Sequence, residues 1–474
     1  MHAWSRPKPL SGGLIVATAV VAAGTAYAGA TGSMLVLAVM LALAAVVVTL
    51  ADWTIGVPLL LVVASVDGFL KHLTSSPMTY ILKDALLALI LLGLAIRLAL
   101  QPDARPDNVR WRGVVVWAAY VAFMISQLVH PAGSIAGAVG AFRAHAAFAA
   151  LFVVGAIYFQ HRERLGRTAN LAIALCTVCA VGALAQHVLG DRWMALSPGF
   201  MKASLHYTSF PSAAARAAGI GDDAVYRMYG TLVDPASLGL ASAYGILFAI
   251  AGLARLRGIA RVLVVVAIPL LGIALALSQA RAAMAGLAVG VLVLAVLLFM
   301  RRATRGTAWA GLLLVSLAIP AGIVLTHGSV LDRLTSQDQV GYAQATRDLS
   351  RNIVLSGLAE APFGHGMGAT GAGGNLRDDS GLGVDNVFFA NLYETGVLGL
   401  GLFLAVQITL LVLGFRATLG ARDLAAQTAF AGIVSAQCAL LVSCWFSQGA
   451  FDYAPMAQCF WLFAGAVARS DAWA

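Results

Sequence analysis

Residues 260–300 read ARVLVVVAIPLLGIALALSQARAAMAGLAVGVLVLAVLLFM. Two apolar runs flank one polar break, Ser278-Gln279-Ala280-Arg281. At 1.5 Å per residue, roughly 20 apolar residues cross about 30 Å of hydrocarbon. The break has room only for a turn, so the two runs form a helical hairpin through a bilayer. On either side the chain turns basic, with ARLRGIAR at 254–261 and RRATR at 301–305.

The same pattern continues outward. Apolar runs of spanning length fall near 12–30, 33–50, 56–70, 81–100, 113–130, 144–160, 168–189, 231–254, 260–278, 281–300, 307–327, 386–415, 424–446 and 454–468. Across the 474 residues, 60% are hydrophobic and 11% charged, and mean hydropathy is +0.87. Soluble domains carry about 25% charged residues, so a soluble enzyme, a disordered chain and a nucleic-acid binder are all excluded. The fold class expected is an all-α polytopic integral membrane protein of about 12–14 transmembrane helices. It forms one membrane domain, 1–474, with a large periplasmic loop containing an amphipathic helix.

The net charge of +9 is topogenic. Short basic loops such as HRERLGR at 161–167, ARLRGIAR and RRATR all fall on one side, which the positive-inside rule makes cytoplasmic. Both termini then lie inside. The long segments 190–230 and 328–385 lie outside. Five cysteines sit in or beside apolar runs, and Cys176 and Cys179 lack the further ligands of a metal site, so all five read as packing residues.

Within 328–385, Ile353, Val354, Leu355 and Leu358 recur at helical spacing, with Arg347 and Arg351 on another face. This predicts an amphipathic helix in the headgroup layer. The following PFGHGMGATGAGG is expected to be a turn or flexible loop. Polar residues crowd the outer face, whereas the midplane of the spans reads as bland.

Three stretches meet at that face: 226–235 (YRMYGTLVDP), 277–281 (LSQAR) and 383–396 (GVDNVFFANLYETG). Arg227 and Arg281 stand where topogenic arginine is not expected. A guanidinium fork suits phosphate oxygens; the alternative is that each snorkels or pairs with a carboxylate. Asp385 reads either as an N-cap or as a general base. Asp234 before Pro235 reads as a cap. Glu394 either lines the site or braces it. His365 is a loop imidazole within reach of substrate, or an ordinary loop residue. Asp67 and Lys71 are spaced to pair, and Lys83 and Asp84 begin a span. Asp222-Asp223 and Asp378-Asp379 are solvated acids or cation ligands.

In order and spacing, these stretches resemble the O-antigen ligase and polymerase superfamily. The marks are R-x-x-G before a Pro helix start (Arg227, Gly230, Pro235), S-x-x-R (Ser278, Arg281), and R-x-x-x-R with P-F-G-x-G-x-G (Arg347, Arg351, 362–368). The last is an Asn followed by L-x-E-x-G-x-x-G-L (Asn386, Leu392, Glu394, Gly396, Gly399, Leu400).

The resemblance implies a membrane glycosyltransferase of the bacterial inner membrane, acting at its periplasmic face on undecaprenyl-pyrophosphate-linked glycans. Its essential arginines match Arg227 and Arg281. Where the family has histidine, this chain has Asp385, which inclines the reading towards the polymerase branch. The catalytic set expected is Asp385, Arg227 and Arg281. The substrate-binding set is Arg347, Arg351, Tyr229, Ser278, His365, Asn386 and Glu394. No cofactor, metal or nucleic acid is expected. The partners expected are the lipid-linked glycan as donor and acceptor, the bilayer, and a flippase and a chain-length regulator. The alternatives are a ligase transferring glycan to lipid A-core, a protein-glycosylating transferase, a transporter or lipid flippase, and a structural membrane component.

Overall fold

Apolar runs that cannot leave backbone polar groups unpaired in hydrocarbon become helices. In the computed structural model, every element among the described residues is helical. The structure describes residues 34–74, 77–100, 111–129, 135–190, 192–193, 227–325, 337–370, 384, 386–447, 451 and 454–469.

In chain order the helices are α1 (Met34–Ala51), α2 (Trp53–Ser65), α3 (Asp67–Thr74), α4 (Pro77–Leu100), α5 (Trp111–Ser126), α6 (Ile135–His145), α7 (Leu151–Tyr158) and α8 (Arg162–Leu189). They continue as α9 (Pro235–Leu253), α10 (Gly258–Ser278), α11 (Arg281–Phe299), α12 (Arg302–Leu325), α13 (Gln337–Glu360), α14 (Val387–Gly420), α15 (Leu424–Phe446) and α16 (Met456–Ala468).

Seven of these are long and apolar enough to cross a membrane: α8, α9, α10, α11, α12, α14 and α15. The expected run at 144–160 is a bent pair instead, Ile135–His145 with Ala147–Tyr158, meeting at 46°. The runs at 56–70, 113–130 and 454–468 form shorter apolar helices. The expected span 12–30 lies outside the described residues.

The chain divides into two compact units, Met1–Val63 with Tyr80–Asp107 and Ala64–Thr79 with Asn108–Ala474. In the first, α1, α2 and α4 approach closely: a Cβ on Gly56 would meet Thr49 and Ile90, and one on Gly93 would meet Trp53. Lys83 and Asp84 lie early in α4.

In the larger unit, small residues let backbones touch, the usual packing device between helices that share a lipid solvent. α11 lies on α15 through Gly286 and Gly290 against Ala439, Ser443 and Ser435. α7 lies on α16 through Gly155 and Gly465. α9 is buried along nearly its whole length and is the axis of this unit. An aromatic layer, Tyr120, Trp461, Phe460, Phe451 and Phe403, fills the space beside α5 and α14. The cysteines are free and lie among the helices, four of them buried.

The expected Asp67–Lys71 pair forms at 2.6 Å in α3, with both side chains buried. The expectation of a bland midplane does not hold. Gln407 and Gln437, halfway along α14 and α15, are buried, and the Gln437 amide donates to the Gln407 carbonyls at 3.3 and 3.4 Å. Amide-to-amide bonds between spans are worth about 0.6–2 kcal/mol each. Isolated glutamines within apolar runs had carried no signal of that pairing.

Candidate functional site at one end of the larger unit

The non-helical segment Arg227–Gly230 enters the bundle ahead of α9, and its backbone is anchored on both sides. Gln186, fully buried in α8, takes both the Tyr229 and Gly230 N–H groups on its Oε1 at 2.9 Å. The Met228 N–H donates to Leu277 O, at the end of α10. The Thr231 hydroxyl donates to Ser65 O, and Thr231 O accepts from the Phe69 N–H. Tyr229, expected to contact substrate, is buried in this packing.

Asp234 caps α9 as expected. Its carboxylate accepts from the Ala236 and Ser237 N–H groups and from the Ser237 hydroxyl, with Pro235 opening the helix. Burial pushes its carboxyl above the ordinary range; the bonds from Ser237 and Ala236, and the nearby charge of Arg227, oppose that shift.

The Ser278–Arg281 corner is the other half of the anchor. Gln279 takes a left-handed conformation that ends α10, and α11 begins at Arg281. Ser278 is wholly buried: its hydroxyl donates to Leu275 O and accepts from the Ala280 N–H. Its carbonyl accepts the Arg227 Nε–H at 3.0 Å. The S-x-x-R spacing thus fixes two arginines at once, Arg281 by helix position and Arg227 through a backbone oxygen.

A third arginine joins them from α13. The buried face of this helix is Ser350, Val354 and Gly357, packed over Val384, Ala390, Phe389, Leu392 and Tyr393. Arg347 lies seven residues before Val354 and so shares that face, while Arg351 is exposed. This corrects the expected placement of both on one separate face: seven residues bring a helix back to within about 20°. The Arg347 guanidinium stands over the Phe446 ring at 5.3 Å, and its charge acts on that of Arg281. Its Nε is buried without a hydrogen-bond partner.

The start of α14 closes the group. Asn386, rather than Asp385, is the N-cap, its carbonyl accepting from the Phe388 and Phe389 N–H groups. Its amide donates to Trp445 O, next to Phe446. Asp385 lies outside the described residues, as do Asp222, Asp223, Asp378 and Asp379. Beside these groups lies a shallow, open apolar groove lined by Phe388, Leu441, Val442, Trp445 and Phe446.

His365 and Glu394 take up neighbouring positions. The His365 ring stacks on Tyr393, centroids 4.2 Å apart, with Nε2 3.1 Å from Gly357 O. Glu394 is 1% exposed: Oε1 accepts from the Thr370 N–H at 3.0 Å and its hydroxyl at 2.5 Å, while Oε2 lies 3.6 Å from His145 Nε2. The carboxylate braces the fold. The Gly-rich stretch, expected to be a turn or flexible loop, is a defined turn through Thr370 with Gly366, Met367 and Gly368 buried.

Arg227, Ser278, Arg281, Arg347 and Asn386 therefore come together. Arg351 does not join them, and Tyr229, His365 and Glu394 are engaged in packing. Gln186, Trp445 and Phe446 were not anticipated, because nothing distinguishes them from span residues until the helices are assembled. Chemically, clustered guanidinia beside an apolar groove suit an anion carrying a long apolar chain. No family model matches the chain, and no curated protein matches it.

Proposed function

We propose that this chain is a polysaccharide polymerase of the bacterial inner membrane, working at the periplasmic face. It joins undecaprenyl-pyrophosphate-linked oligosaccharide repeats and releases undecaprenyl pyrophosphate. The product class is O-antigen, capsule or exopolysaccharide. The observation that carries this reading is the gathering of Arg227, Arg281 and Arg347 beside the groove of Phe388, Trp445 and Phe446. Like charges repel, so a cluster of guanidinia is favoured when an anion is there to bridge it.

In this reading the arginines hold the donor pyrophosphate and stabilise the charge that builds on it as the glycosidic bond breaks. The polyprenyl chain lies along the apolar groove. Asp385, one residue before the Asn386 cap, accepts the proton of the attacking acceptor hydroxyl. The hydroxyl oxygen bonds to the anomeric carbon on the face opposite the departing pyrophosphate, giving an inverted linkage. The expected topology, with cytoplasmic termini and 12–14 crossings, belongs to the same proposal, as do a flippase and a chain-length regulator as partners.

The test is reconstitution of the purified protein with lipid-linked repeats, with and without lipid A-core. A ladder of lengthening glycan without lipid A-core is the expected result. A single transfer that requires lipid A-core makes the protein a ligase. Absence of any transfer, with intact folded protein, removes the transferase reading.

A further inference from the structure

α14 is one helix by length but not by geometry. At Gly396 the backbone is non-helical (φ 68°, ψ −168°), and the helix kinks there. In an unbroken helix the Val397 N–H would donate to Tyr393 O. Instead the Val397 N–H donates to Pro362 O at 3.2 Å, and Tyr393 O accepts the His365 N–H at 2.8 Å. Glu394 O accepts the Gly366 N–H at 3.0 Å. The turn after α13 thus supplies the bonds that the kink withdraws, as buried backbone groups require.

The Glu394 side chain repeats this connection. Its carboxylate holds Thr370, at the exit of the turn, and faces His145, at the end of α6. On the entry side, His365 stacks on Tyr393 and contacts Gly357 O, in the last turns of α13. α13 is in turn the helix that carries Arg347 towards Arg281. One connected set of bonds therefore ties Glu394 through the turn 362–370 to the end of α13, the helix that carries Arg347.

We infer that Glu394 is a positioning residue: by locking the turn 362–370 onto the α14 kink, it sets where α13 presents Arg347 to the anion-binding cluster. The inference rests on the proposal that this cluster binds the donor pyrophosphate. Glu394 does not act as an acid or base. It is enclosed, with one oxygen shared by two bonds from Thr370 and the other facing His145.

The experiment compares Glu394→Gln, Glu394→Ala and Thr370→Val in the full-length protein, reading KM for the lipid-linked donor and kcat separately. Glutamine keeps an oxygen for Thr370, so Glu394→Gln should stay within about threefold of the parent. Glu394→Ala should raise KM about tenfold and change kcat less, a loss of uniform binding. Thr370→Val should shift KM in the same direction by less, and add little in the Glu394→Ala background, as expected for two groups in one network. A large fall in kcat for Glu394→Gln at unchanged KM would place Glu394 in the chemistry and overturn the inference. So would parental KM and kcat in Glu394→Ala. If Glu394→Ala does not fold, Thr370→Val carries the test alone, and an unchanged KM counts against the inference.

A second readout does not depend on turnover. In an Arg281→Cys/Arg347→Cys variant, a short bis-maleimide should cross-link the two positions, and adding Thr370→Val should lower the yield. If the parent protein shows no transfer but the yield in the cysteine variant still falls, the functional proposal fails while the positioning role stands. An unchanged yield overturns the positioning role itself.

Discussion

The two ends of the larger unit use arginine in opposite ways. At the end where α9 and α11 finish, guanidinia are met by backbone oxygens. Arg301 donates to Ala421 O at 2.6 Å, Arg255 to Gly166 O, Arg164 to Tyr158 O and Arg469 to Ala156 O. Carbonyls at helix C-termini are unpaired and carry partial negative charge, so the arginines on Ala421, Tyr158 and Ala156 settle a local electrostatic demand. At the end where α9, α11 and α14 begin, Arg227 also reaches a carbonyl, but the charge of Arg347 acts on that of Arg281. Helix N-termini present N–H groups and positive potential. Arg227 has the Asp234 carboxylate nearby and Ser278 O under its Nε–H, whereas the charge of Arg281 is met by that of Arg347. The same residue type thus meets backbone carbonyls at one end and gathers with its own kind at the other.

Substitutions can break that contrast. The largest effect is expected from Arg281→Lys: a fall of about 100-fold or more in polymerisation, comparable to losing one preorganised donor to a developing anion. Turnover assays at matched expression, with thermal unfolding close to the parent, would check it; parental turnover removes Arg281 from the site. Asn386→Ala comes next, because it deletes the α14 cap and the bond to Trp445 O. It should cost about 1–2 kcal/mol, read as a lower unfolding midpoint in detergent, and should weaken donor binding as well. Arg301→Ala sharpens the contrast from the other end, losing about 1.5–3 kcal/mol of charge-assisted bonding while retaining kcat and KM. Arg351→Ala should do least, since the side chain is exposed: stability within about 0.5 kcal/mol and activity within about twofold. A large loss there would show that the exposed face of α13 also meets substrate.

The legible part of this molecule was what depends on chain neighbours. Hydropathy alone is enough to place the long spans α8 to α12 and the helices α14 and α15. The Asp234-Pro235 cap and the Asp67–Lys71 pair followed from spacing. What depended on assembly was hidden. Arg347 and Arg351 looked equivalent at four residues apart, but Val354 buries one side of α13 and takes Arg347 with it. Asp385 and Asn386 are both good caps, and only backbone geometry shows that Asn386 holds the position. Glu394 looked poised between chemistry and support until Thr370, 24 residues away, supplied both its N–H and its hydroxyl. The bending of the run 144–160 reflects the break between α6 and α7, which average hydropathy does not register.

Gly364 and Gly396 have a consequence for how this chain can vary. Gly364 has φ +95°, and a Cβ there would stand 2.3 Å from Glu394 O and 2.6 Å from Gly396 N. Gly396 has φ +68°, and a Cβ there would stand 2.4 Å from Pro362 O and from the carbonyl carbon of Phe363. Each would drive a side chain into backbone of the other's segment, and neither backbone suits an L-residue. A methyl at either position would part the turn from the kink and undo the close approach that the other glycine serves. The two sites are therefore bound by a shared selection pressure: descendants of this sequence should keep both glycines or abandon both together.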